Sequence, residues 1–338
     1  MTSVHIVIPD LFLPQELAAY IGTDLHLPAL EKLLARGRSE ALNIDSPEAW
    51  LCNKFGIDES SIAPITLLAD GIQPGSHYWL RADPVGITMQ KDQVILRSDI
   101  ALVAGEAARL CESLNAHFAV EGLQFYAPHP QRWYLKLEQP PAITTFSLPQ
   151  AAGASMHEYL PFGENALRWH RISNEIQMLF HEHGVNQARE REGKHPVNGV
   201  WFWGGGKHQA ELLKPYDGVL GDSELARAFA QAAGLPVLSR LKINPHGQEE
   251  DQGDLLLVYE QLRNSMLGAD IGSWREAMQL FEKEYAQPLL ELLKAGSVRQ
   301  LTLDVMCENA SRRFTVTPEA LWKIWRKPKL LYHYAIAK

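Results

Sequence analysis

A chain of 338 residues, 46% hydrophobic and 21% charged, can bury a substantial core and has room for two lobes or one large α/β domain with an insertion. Its net charge of -8 has the wrong sign for a nucleic-acid backbone, and its three cysteines, Cys52, Cys111 and Cys307, are too scattered for a disulfide framework or a CxxC zinc site. The opening MTSVHIVIPD lacks the basic and apolar regions of a secretory leader, and no apolar run approaches the roughly 18 residues of a membrane span, so the expectation is a cytoplasmic protein whose partners include neither nucleic acid nor membrane.

The run 4–8 is short and apolar and ends at Pro9-Asp10, which suits a first, central strand of a parallel sheet. Asp10 then stands at the carboxyl end of that strand, where open α/β sheets collect their ligands. A helix is expected over 27–35, with Pro28 in its first turn and Gly37 as its stop, and another opens at Ser46-Pro47. After the turn-like 71–75, strands at 77–80 and 93–96 flank a turn at Lys91-Asp92. A helix covers 105–118 with Ala107, Leu110, Leu114 and Phe118 on one face, and strands follow at 123–126 and 133–137. That order reads as a small α+β lobe inserted into a larger domain. The boundaries expected are 1–75 and 165–338 for the α/β core domain and 76–164 for the lobe.

A second long helix is expected over 166–189, ended by Gly193 and Pro196. The stretch 197–203 is a buried strand that runs into Gly204, Gly205 and Gly206, with Trp201 and Trp203 on one face as packing residues. Three glycines bare backbone N–H groups and permit φ > 0. Two readings stand: a phosphate cradle aided by Lys207 or His208, or a tight strand exit packed against a helix. A helix over 223–233, capped by Asp222 or Ser223, stops at Gly234. Strands at 237–243 and 254–259, an amphipathic helix over 274–293 that Pro288 kinks or splits, and strands at 300–306 and 313–316 complete the chain. The alternation after 196 marks parallel strands with crossover helices. The fold class expected is α/β, a mostly parallel sheet flanked by helices with an inserted smaller α+β domain.

Arg81, Asp83 and Arg132 form a possible polar cluster, either for bidentate phosphate or carboxylate recognition or as structural ion pairs. His181-Glu182-His183 does not make a metal pair, since helical residues two apart point about 200° from each other. The acidic run 248–251 reads as a solvated loop, and the basic stretch 323–329, with Trp322 and Trp325, as a surface or docking tail.

Three stretches together resemble the cofactor-independent phosphoglycerate mutases of the archaeal type, in the alkaline phosphatase superfamily. YWLRADPVGITMQKDQVIL at 78–96 is similar to that family's strand bearing Arg-x-Asn-or-Asp and the hairpin after it. The segment 106–133 is similar to the helix and arginine-bearing strand of its inserted lobe, and NGVWFWGGGK at 198–207 to its Asn-x-x-Trp-x-Trp-Gly-x-Gly. The chain also resembles a narrower group of bacterial proteins labelled regulatory protein, RpfE type. The resemblance implies an alkaline-phosphatase-like core and places Arg81 and Arg132 near a substrate groove.

It also implies a two-metal site: an Asp-Gly after the first strand, a phosphorylated Ser, and later Asp and His ligands. Here Asp10 is followed by Leu11, the segment 259–270 has no His, and 301–314 offers only Asp304, Cys307 and Glu308. Ser46, Ser60 and Ser61 look like cap or turn residues. Two metal ions need a dense shell of carboxylates and imidazoles. The expectation is a catalytically degenerate relative, a pseudoenzyme with a binding or regulatory role and no metal or other cofactor. Its ligand would be a small phosphorylated or carboxylated metabolite, held by Arg81, Asp83, Arg132, Gly204, Gly205, Gly206, Lys207 and His208. The alternative is a phosphomutase or phosphatase-like enzyme with a reduced site, in which Asp10, Asp304 and His208 or His246 converge.

Overall fold

The structure, a computed structural model of the chain, describes residues 2–14, 17–18, 25–44, 46–57, 61–90, 93–221, 223–239, 253–268, 270–307 and 311–334. It divides into two compact units, Met1–Gly56 with Glu211–Lys338, and Ile57–Ala210. The strands in chain order are β1 (Thr2–Pro9), β2 (Arg38–Ala41), β3 (Tyr78–Gln90), β4 (Gln93–Arg97), β5 (Gln124–His129), β6 (Arg132–Leu137), β7 (Gly199–Lys207), β8 (Gly218–Leu220), β9 (Val237–Leu238), β10 (Asp254–Val258), β11 (Val298–Met306) and β12 (Arg312–Val316). Among the described residues no helix is long and apolar enough to cross a membrane.

The first unit is a seven-stranded sheet in the order β2-β12-β11-β1-β10-β8-β9. The five strands from β11 to β9 are parallel, and β12 and β2 are antiparallel additions. This is the α/β class expected. Alternation along β1 sends Val4, Ile6 and Ile8 into a core shared with Leu255, Leu257, Leu301 and Leu303, under Leu30, Leu33, Met278, Phe281 and Leu289 from the flanking helices. His5 and Val7 face the other side.

The helix expected over 274–293 is two helices, Ile271–Phe281 and Gln287–Ala295, joined by a π turn, Glu282–Ala286. Pro288 cannot donate a backbone bond into the preceding turn, and the widened turn absorbs the break. The turn also turns Glu282 outward, and its carboxylate accepts from Ala29 N at 2.7 Å and Leu30 N at 3.0 Å. It thereby caps the helix Pro28–Arg36, whose own N-cap position, Leu27, supplies no side-chain bond. The strand expected over 237–243 stops at Leu238, and 240–243, like the acidic run 248–251, lies outside the described residues.

The second unit is a five-stranded antiparallel sheet, β4-β3-β6-β5, with β7 on β3. It is larger than the lobe expected at 76–164. β7 was expected in the core domain, but it hydrogen-bonds along β3 from Val85↔Gly199 to Tyr78↔Lys207. The helix Ala166–His181 comes with it, through Trp169 against Phe202 at 5.0 Å between ring centroids. The helix expected over 166–189 breaks after His181: His183 Nδ1 accepts from Val185 N and caps a separate helix, Gly184–Arg191. His183 Nε2 lies 2.8 Å from Ser113 Oγ, so this histidine serves a helix junction.

Candidate functional site

The carboxyl ends of β1 and β10 are where a parallel sheet of this kind collects a ligand. Asp10 sits there with φ 56, the one non-glycine residue of positive φ among those described. Left-handed backbone outside glycine costs of order 1 kcal/mol or more and is held by its surroundings. Here Asp10 N donates to Met306 O at 2.8 Å, and Asp10 O accepts from Trp274 Nε1 at 2.9 Å. Immediately beyond, Leu11, Phe12 and Leu13 are buried in the core, which turns this part of the strand end into apolar packing.

The polar groups beside Asp10 come from the starts of two helices. Ser46 caps the helix Pro47–Phe55, its Oγ accepting from Ala49 N at 3.1 Å. One position into that helix, Glu48 is buried and its Oε1 accepts from Arg263 Nη1 at 2.8 Å. Arg263 belongs to the helix Gln261–Leu267, which starts directly after β10. Burial opposes the Arg263 charge, but Glu48, and then Asp10 and Glu260, overcome that and raise its pKa. Burial likewise pushes the Glu260 carboxyl up, against a hydrogen bond from Ser223 that favours the anion. One guanidinium therefore pairs with Glu48 and also attracts Asp10 and Glu260 at the strand ends.

These residues do not fit the two-metal centre that the sequence resemblance implies. Among the described residues no three His, Cys, Asp or Glu side chains converge to hold an ion. The charge that would offset the carboxylates is carried by Arg263, which is bonded to one of them.

Asp304, the other acid singled out, lies on the face of the sheet shared with His5. It is fully buried. Arg313, its cross-strand neighbour on β12, donates to both of its oxygens at 2.7 Å, and Trp50 Nε1 donates to Oδ2 at 2.7 Å. His5 Nε2 lies 2.9 Å from Oδ2, off the line of a hydrogen bond. Burial works against this carboxylate, yet the Arg313 guanidinium holds it well below the usual range. Burial lowers the His5 pKa, against the pull of Asp304, and Tyr216 O–H lies 2.8 Å from its Nδ1. Three donors take up most of the accepting capacity of Asp304, and among the described residues neither Asp10 nor Asp304 belongs to a group that could hold an ion, so the reduced site built on them is not formed there. His246 lies outside the described residues.

A cavity of about 180 Å³ opens beside this cluster, at the amino-terminal ends of β1, β10 and β11. Ser3, His5, Tyr216, Asp254, Arg299 and Thr302 supply its polar lining. Arg299 spans Ser3 Oγ at 2.6 Å and Asp254 Oδ1 at 3.1 Å and is exposed at the rim.

In the second unit, Arg81 and Asp83 are paired. The guanidinium reaches both carboxylate oxygens, each at 2.9 Å from Nη2, and lies 5.0 Å from the Trp203 ring and 5.5 Å from the Tyr134 ring. Asp83 also accepts from Trp203 Nε1 at 2.7 Å and Trp133 N at 3.2 Å. Only 7% of Arg81 and 1% of Asp83 is exposed, so this arginine holds the sheet and has no face left for a ligand. Arg132 likewise forms a fork to Asp70, through Nη2 at 2.7 Å and Nε at 3.0 Å, and Tyr134 O–H donates to the same carboxylate at 2.6 Å. Both arginines are ion-paired within this unit, Arg81 out of water and Arg132 with 20% of its side chain exposed.

The three glycines are not a rim loop but the last part of β7. Trp79 pairs with Gly206 and Arg81 with Trp203, so Gly204 and Gly205 together oppose Leu80. Gly204, at φ 62, makes this a β-bulge that a side chain would strain. Added methyls at Gly205 and Gly206 would run into Tyr78 and Ser61. The chain itself fills the space on the side-chain face of these glycines. Beyond it Lys207 is exposed, and His208 Nδ1 is buried with no hydrogen-bond partner among the described residues.

No family model matches the chain. Pairwise comparison finds the 2,3-bisphosphoglycerate-independent phosphoglycerate mutase of Methanosarcina barkeri, 26% identical over 204 residues, which are 53% of this chain and 51% of that protein. A probable 2,3-bisphosphoglycerate-independent phosphoglycerate mutase of Geobacter sulfurreducens is 25% identical over 197 residues, 54% of this chain and 49% of that one. The chain resembles the cofactor-independent phosphoglycerate mutases. It spans about half the length of the curated relatives it matches. A solved structure from Pyrococcus horikoshii shares the fold, with a TM-score of 0.50 at 13% identity over 93% of this chain and 87% of that one.

On this phosphoglycerate-mutase-like scaffold, the polar residues that the sequence reading missed are Glu48, Glu260, Arg263, His5, Tyr216 and Arg313. Glu48 and Arg263 are 215 positions apart, and nothing local marks them as a pair. Arg313 had a signal: pairing the strands expected at 300–306 and 313–316 as a hairpin puts an arginine across from Asp304.

Proposed function

We propose that this phosphoglycerate-mutase-like chain works by binding a small phosphorylated or carboxylated metabolite, in a regulatory role, and does not carry out metal-dependent phosphoryl transfer. The observation that supports this is the Arg263–Glu48 ion pair, buried among the carboxylates at the strand ends. Two cations and a guanidinium would compete for the same three acids, and the guanidinium is built into the chain. The cavity beside His5 and Tyr216 is the place proposed for the ligand. Its rim cation, Arg299, would exchange the Asp254 carboxylate for a carboxylate or phosphate of the ligand.

Three measurements test this together: metal content after purification, phosphoryl transfer on 3-phosphoglycerate with added manganese, and thermal shift with 3-phosphoglycerate or inorganic phosphate. The expected outcome is no stoichiometric metal, no turnover above a blank, and an upward shift that Arg299→Ala abolishes, since a ligand of the folded state alone must stabilise it. Bound manganese or zinc with measurable turnover would overturn the proposal. Absence of any shift with these anions would remove the ligand class.

A further inference from the structure

Of the nine tryptophans, seven are no more than 6% exposed, whereas Trp322 and Trp325 are 81% and 73% exposed, with Ile324 between them at 73%. They do not sit on a loose tail. The turn Pro318–Trp322 is anchored by buried Ala320, and Lys323, at φ -74 and ψ 64, lies in an inverse γ-turn closed from Ile324 N to Trp322 O at 2.7 Å. Arg326 N donates to Lys323 O at 3.0 Å, and Arg326 Nη1 reaches Gly37 O at 2.9 Å. Past the loop, Lys329 N donates to Tyr334 O–H oxygen at 3.1 Å and Leu331 is buried again. Hydrogen-bonded turns pinned at both ends thus hold three large apolar side chains out in water. That arrangement contributes nothing to folding, and such patches mark contact surfaces.

Past the exposed Glu319, the charges along the loop have one sign. The stretch 320–334 carries Lys323, Arg326, Lys327 and Lys329 and no acid, in a chain of net charge -8. We propose that this loop is a docking surface for an anionic lipid bilayer. Indoles settle at the water–hydrocarbon boundary, where the ring is buried and the N–H stays wet. Ile324 favours acyl chains and adds nothing to stacking on nucleobases, which sets a lipid surface ahead of a single-stranded nucleic acid. Apolar insertion combined with a basic cluster is the two-part attachment that gives stable but reversible binding. Each cation near such a surface adds about fivefold to partitioning, so four carry substantial affinity that salt removes. The inference is independent of the metabolite-binding reading.

The test is co-sedimentation of the whole chain with vesicles of equal phosphatidylglycerol and phosphatidylcholine, against phosphatidylcholine alone. The expected result is binding to the anionic vesicles at low salt, with a blue shift in tryptophan emission, and tenfold or greater loss in high salt or without the anionic lipid. A variant carrying Trp322→Ala, Ile324→Ala and Trp325→Ala should lose binding and blue shift and keep its melting temperature. Lys323→Glu with Lys327→Glu should lose binding and keep its fold. The proposal fails if the chain stays in the supernatant with anionic vesicles, or if the triple variant still sediments. It also fails if the loop's emission responds to an oligonucleotide or an acidic peptide but not to vesicles.

Discussion

Replacing Arg263 by Met is the sharpest probe of the strand-end cluster. Side-chain exposure is 11% for Arg263 and 7% for Glu48, so the 2.8 Å pair is out of water. Losing one partner strands the Glu48 charge beside Glu260 and Asp10. Breaking a buried pair in this way costs about 3–5 kcal/mol. For a unit of this size that lowers the melting temperature by roughly 6–20 °C. A companion variant, Glu48→Leu with Arg263→Met, removes both charges and should recover most of the loss, since apolar replacement of a buried pair is often neutral. The variant also has an electrostatic signature. With the guanidinium gone, the carboxylates are left without a counter-charge, and manganese or calcium should raise the melting temperature of Arg263→Met but not of the wild type. Differential scanning fluorimetry with and without divalent ions reads all of this. If Arg263→Met melts within 1 °C of the wild type, or the wild type gains as much from manganese as the variant, the reasoning about this cluster is wrong.

Four further outcomes can be checked. Asp304→Asn should cost about 3–5 kcal/mol in urea titrations, because Arg313, its strongest donor, loses a buried counter-ion. Stability of the first unit should begin to fall below about pH 6.5, the ordinary histidine value, because unfolding frees His5 to take up a proton that its folded environment resists. It should fall more steeply below about pH 4, where the unfolded state protonates aspartates that the folded state keeps ionised, with Asp304 foremost, and His5→Asn should remove only the first step. Gly206→Ala should destabilise the second unit by about 1–3 kcal/mol through its clash with Ser61, whereas Gly122→Ala meets no atoms and pays only for its positive φ.

Much of the framework was legible because it rests on local patterns. Ser46-Pro47 does cap and open a helix, and Ser223 and Gly234 do bound one. The apolar runs at 4–8 and 254–259 are neighbouring parallel strands. What stayed hidden depends on contacts far apart in the chain. β7 looked like a core strand because it is apolar throughout, and periodicity cannot say which sheet such a strand joins. The glycine run suggested a phosphate cradle, since sequence cannot reveal that Ser61, Ile62 and Tyr78 fill the space beside it. The acids were judged by what was missing around them. The structure adds what is present, arginines that have taken the counter-charge role.

The π turn has a consequence for how this chain tolerates change. Its five residues, Glu282–Ala286, include exposed polar positions of the kind that usually accept insertions. Yet adding or deleting one residue there would rotate all that follows by about 100° about the helix axis. Leu289, Leu292 and Leu293 would swing away from the sheet, or, were they to keep their places, the Glu282 carboxylate would leave the helix beginning at Pro28. The spacing between Trp274 and Leu293 therefore behaves as a ruler, fixed by residue count more than by residue identity.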